Sequence, residues 1–130
     1  MEKITAHLGT QNYKTEVKTA TNSIIVDEPF DLGGEDLGFN PHELLAASLG
    51  TCTVITLKMY ANHKGWDLKD VNIEVTFDWI KEKNKSIFNR NIELIGNLDD
   101  TQKERLLKIA NSCPVHKALI NPTEITTSLL

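Results

Sequence analysis

With 130 residues, 40% hydrophobic and 25% charged, the chain is long enough for one sizeable core and too short for two, so a single domain over residues 1–130 is expected. A formal charge of −4 with no basic run or aromatic ladder argues against a nucleic-acid partner. The N-terminal MEKITAHLG lacks an apolar core of signal-peptide length and Lys58 interrupts the only long apolar run, so neither export nor a membrane span is expected, and the cytoplasm is the expected compartment.

Residues 3–6, 13–19 and 23–26 are short β-leaning runs separated by Gly9-Thr10 and Thr21-Asn22, which predicts a meander of two or three strands. The acidic stretch DEPFDLGGEDLGF at 27–39 holds Pro29 and Gly33-Gly34 and reads as a surface loop. Its glycine pair is no phosphate cradle, because neither a strand–GxGxxG–helix setting nor a P-loop lysine accompanies it. Residues 40–64, NPHELLAASLGTCTVITLKMYANHK, predict one long helix with Cys52 at its middle. Asn40 and Glu43 suit a capped start, Pro41 suits the first turn, and Gly65 suits a left-handed stop. From Leu44 to Ile55 the helix is apolar or small on every side, which predicts packing all round it.

After the helix, Val71, Ile73, Val75, Phe77 and Trp79 alternate with polar residues and predict a strand. A charged turn at 81–85 leads to its antiparallel partner at 87–95, where Phe88, Arg90, Ile92 and Leu94 share a side. Arg90 in that row is either an edge residue or a buried charge with a partner, and it reads most simply as a solvated or snorkelling side chain. Asp99 or Asp100 caps a further helix running to about Asn111, with Leu106, Leu107, Ile109 and Ala110 on its inner side. Ser112-Cys113-Pro114 breaks it, a short helix follows over 114–120, and 124–129 reads as a last strand. The order is that of an α+β domain with antiparallel sheet wrapped on a long central helix.

Two cysteines without a secretory signal make a poor structural disulfide, so each is weighed for chemistry. Cys52 has mostly apolar neighbours one turn away, as a packing cysteine does, and such surroundings blunt a thiolate. Cys113 stands where a helix begins, beside free backbone N–H groups that favour its ionised form, although a capping or packing role fits equally. Cys113-x-x-His116 with Cys52 or His42 would supply ligands for zinc, but structural zinc sites use two close ligand pairs and only one exists, so no metal is expected. His7 and His63 read as surface residues. No flavin, haem or nucleotide motif occurs, and no cofactor is expected.

NPHELLAASLGTC at the start of the long helix, followed about sixty residues later by LLKIANSCPVHKAL, resembles the OsmC/Ohr superfamily of thiol peroxidases over residues 33–130. The resemblance implies an intertwined homodimer that reduces organic hydroperoxides, with hydrogen peroxide a further substrate, in defence against oxidative stress. It implies that Cys52 attacks the peroxide, that Cys113 resolves the sulfenic acid as a disulfide, and that a dithiol of lipoyl type is the reductant. This reverses the ranking of the two thiols by local surroundings. The family's arginine from the N-terminal strands has no counterpart, since the only arginines are Arg90 and Arg105, both after Cys52. At the position of the family's glutamate stands His42, with Glu43 next to it, and these are the candidate supporting residues. Phe39, Leu49, Ile55 and Met59 are expected to line an apolar substrate pocket. The competing reading is a non-catalytic module of the same fold that binds a small apolar ligand at the dimer interface.

Overall fold

The computed structural model describes residues 1–130. Two compact units are present, Met1–Leu45 and Ala46–Leu130.

In the first unit β1 (Thr5–His7), β2 (Thr15–Lys18) and β3 (Ser23–Val26) form an antiparallel meander in the order β1-β2-β3, three strands where two or three were expected. The acidic loop after it is pinned from within. Asp27 is buried, and its carboxylate accepts from the backbone N–H groups of Tyr13, Glu28, Glu35 and Leu37 at 2.8–3.3 Å. Burial alone would raise its pKa; those four donors outweigh burial and hold it below the ordinary 3.8. The chain then turns through Phe30–Leu32 and enters α1 (Pro41–Lys64). The start of α1 is a reciprocal capping box: the Glu43 N–H donates to Asn40 Oδ1 at 2.8 Å, and the Asn40 N–H donates to Glu43 Oε1 at 2.9 Å. Its end is Gly65, whose φ of +70° a residue with a side chain rarely adopts.

In the second unit β4 (Asp67–Ile80) and β5 (Lys85–Asn97) make one long antiparallel hairpin, longer at both ends than the sequence pattern suggests. Its register sets Ile73 opposite Ile92, Val75 opposite Arg90 and Phe77 opposite Phe88, so these six residues share a face. That face reaches α1 at Gly50, where an added Cβ would lie 3.1 Å from Val75 Cγ2. The small residue permits the close approach. α2 (Asp100–Ala110) starts on a second capping box, Asp99 with Gln102, and α3 (Pro114–Ile120) starts on Cys113. The core of this unit is Leu57 and Ala61 from α1, Leu68 from β4, and Leu106 and Ala110 from α2.

Three expectations fail. Residues 124–129 form no strand and are exposed, because no sheet edge of the chain pairs with them. Leu107 is 61% exposed: Leu106 and Ala110, one turn apart, take the buried stripe of α2, and Leu107 lies about 100° round the helix. Packing all round α1 is also not found in a single chain, since Leu45, Ile55 and Met59 are exposed along it. By length and composition α1 could cross a membrane, but Leu49, Thr53, Leu57 and Ala61 on one face are buried and the Lys58 ammonium donates to the Leu68 carbonyl.

Candidate active site

Cys113 is fully buried at the break between α2 and α3. Pro114 directly after it favours the extended backbone that an N-cap needs, and the thiol sulfur accepts from the His116 backbone N–H at 3.3 Å. On its other side Cys113 Sγ lies 3.7 Å from Thr53 Oγ1 on α1. The Thr53 hydroxyl also donates to the Leu49 carbonyl at 2.7 Å, which ties the contact to the preceding turn of α1. Thr53 follows Cys52 directly, which brings the second cysteine to the helical turn that carries the first.

Arg90 completes this junction. Its Nη1 donates to Thr53 Oγ1 at 3.0 Å and to the Ala110 carbonyl at 2.9 Å, while Nη2 donates to Asn111 Oδ1 at 3.1 Å and pairs with His116 Nδ1 at 2.8 Å. The side chain is half-buried and engaged at every terminal hydrogen, which corrects the solvated reading. Its stem emerges from the inner face of the hairpin, opposite Val75, and the carbonyl and side chains at the end of α2 meet it there. His116 is held neutral: burial, then the adjacent Arg90 charge, push its pKa below the ordinary 6.5.

Beside this junction is a cavity of about 250 Å³ lined by Leu49, Ser86, Phe88, Arg90, His116, Leu119 and Ile120. Of the four residues expected to line a pocket, Leu49 is in its wall. Ile55 and Met59 are instead exposed on α1, at 52% and 67%, and Phe39 belongs to the first unit, where it bridges to Val26. Cys52 is half-buried. Glu43 is engaged in the helix-start box, and His42 is exposed in the first turn of α1. Sequence reasoning missed Thr53 and ranked a partnered Arg90 second, without naming its partners. The one available signal was that Arg90 shares strand parity with Phe88 and Ile92.

A family profile described as OsmC-like protein matches residues 33–128. The chain belongs to the OsmC-like family. No curated protein matches this OsmC-like chain significantly. Among solved structures, an osmotic stress induced and detoxification response protein from Psychrobacter arcticus 273-4 is 26% identical with a TM-score of 0.78, over 91% of this chain and 88% of that one. An organic hydroperoxide resistance protein OsmC from Legionella pneumophila is 28% identical with a TM-score of 0.62, over 92% and 88%. An OsmC-like protein from Mycoplasma pneumoniae, 21% identical with a TM-score of 0.78 over 92% and 87%, shares the fold. The OsmC-like assignment thus covers both cysteines, the α+β architecture and the long central helix.

Proposed function

We propose that the chain is a thiol peroxidase for organic hydroperoxides, with Cys52 as nucleophile and Cys113 as resolving thiol, working in the cytoplasm as a homodimer. The Cys52 thiolate attacks the terminal peroxide oxygen. The S–O bond forms as the O–O bond breaks, and the alkoxide takes a proton from water, leaving an alcohol and a sulfenic acid. Cys113, as its thiolate, then attacks the oxidised sulfur, hydroxide departs and is protonated to water, and a disulfide remains. An external dithiol of lipoyl type restores both thiols by exchange and leaves as its own disulfide.

The observation that carries this reading is the junction at Thr53. A second thiol and a guanidinium meet on one hydroxyl, next in the chain to Cys52. Family membership and the hydroperoxide-resistance name of a 28% identical relative support it further. Arg90 is the cation delivered to this turn, in a chain that lacks the family's N-terminal arginine. The homodimer accounts for the apolar residues left open on α1, Ile55 and Met59 among them.

A stoichiometric pulse of cumene hydroperoxide on the reduced protein, followed by intact-mass and peptide mass spectrometry, tests this. A Cys52–Cys113 disulfide is the expected product. Two thiols intact after the pulse would overturn the reading in favour of the non-catalytic binding module.

A further inference from the structure

The Arg90 clamp determines more than where Cys113 sits. A guanidinium keeps its protons at any ordinary pH, so in the contact with His116 it is the donor and Nδ1 the acceptor. The imidazole therefore carries its single proton on Nε2, as burial and the neighbouring positive charge also favour. No group of the chain accepts from that Nε2–H, and the ring forms part of the wall of the cavity bounded by Leu49, Phe88, Leu119 and Ile120. Arg90 borders the same cavity, but its four Nη hydrogens are committed to Thr53, Ala110, Asn111 and His116. Ser86 is the other polar side chain in the wall.

We infer that His116 Nε2–H recognises the oxygen of an organic hydroperoxide, and of the alcohol formed from it, while the surrounding hydrocarbon holds the organic group. The inference rests on the peroxidase reading and names the group that would select its substrate. Leu49 joins the cavity wall to α1 one turn before Cys52, the turn at which the thiolate acts. As the O–O bond breaks, negative charge grows on the inner oxygen, and a fixed neutral donor stabilises it without having to give up its proton, which water supplies. Hydrogen peroxide, with no hydrocarbon to fill the cavity, gains only the hydrogen bond. His116 is thus a specificity-determining residue, and Arg90 a positioning residue acting through it.

The probe is cumyl alcohol, the stable product of cumene hydroperoxide, titrated into the reduced protein. Nitrogen-15 NMR of the histidine rings is expected to show His116 as the neutral Nε2–H form at pH 7, and cumyl alcohol is expected to shift that resonance. His116→Phe keeps the apolar wall and removes the donor, so the affinity for cumyl alcohol should fall about tenfold, whereas His116→Gln, which retains an N–H, should lose less. The same substitution should raise KM for cumene hydroperoxide more than it changes KM for hydrogen peroxide. A Nδ1–H or cationic ring, or cumyl alcohol bound equally by the parent and H116F, would overturn the inference. Alcohol binding that depends on His116 in a protein that consumes no hydroperoxide would uphold the cavity assignment and remove the peroxidase reading instead.

Discussion

Arg90 gathers acceptors from three segments, Thr53 on α1, Ala110 and Asn111 at the end of α2, and His116 on α3. Arg90→Met keeps most of the stem and strips all four bonds. An expected loss of about 3 kcal/mol, read by urea unfolding, follows from leaving partly buried acceptors unpaired, and Arg90→Lys should recover part of it because an ammonium cannot span the same fork. Thr53→Val removes the oxygen that both Cys113 and Arg90 address, and should cost about 1–2 kcal/mol and slow disulfide formation after a peroxide pulse. His116 adds a pH signature. Its pKa is lowered in the folded state, so the unfolded chain binds the proton more readily. The stability this contributes is complete above the ordinary value of 6.5 and is lost as pH falls below it, a slope that His116→Gln should flatten in denaturation measured from pH 7 to pH 5. The strand parity of Arg90 was legible from alternation alone. Its partners were not, because they lie 20 to 37 residues away along the chain.

Among the elements, the acidic loop between β3 and α1 depends on one carboxylate. Asp27 is ionised more easily folded than unfolded, so what it contributes is present above the ordinary 3.8 and disappears as pH falls through its lower folded value. Asp27→Ala should leave the amides of Glu28, Glu35 and Leu37 without their acceptor, seen as faster hydrogen exchange there at neutral pH. The central helix carries a different sensitivity. Gly50→Leu forces a side chain into the contact with Val75 and should destabilise by about 2 kcal/mol by thermal or urea unfolding. Capping chemistry made the starts of α1 and α2 readable, since Asn40 with Glu43 and an aspartate at 99 or 100 are local signals, and the structure then selects Asp99 and adds Gln102. Residues 124–129 show the limit of such signals: their composition suits a strand, but a strand also needs a pairing partner, and none of the five strands of the chain pairs with them.

For the whole molecule, one side of α1 departs from a self-contained core, with Leu45, Ile55 and Met59 exposed along it. If a second copy covers it, Ile55→Glu should shift the sedimentation of the protein from dimer to monomer, since Ile55 is 52% exposed in the single chain and has little to lose within it. By itself the sequence determined the central helix and its caps, the hairpin, the helix break at Cys113 and the family, because each rests on periodicity, capping or a contiguous motif. Only the tertiary structure decided which residues share the junction with the second thiol. Thr53, Arg90, Asn111 and His116 converge through a strand register and a helix-to-hairpin contact at Gly50, and such convergence leaves no trace in local spacing.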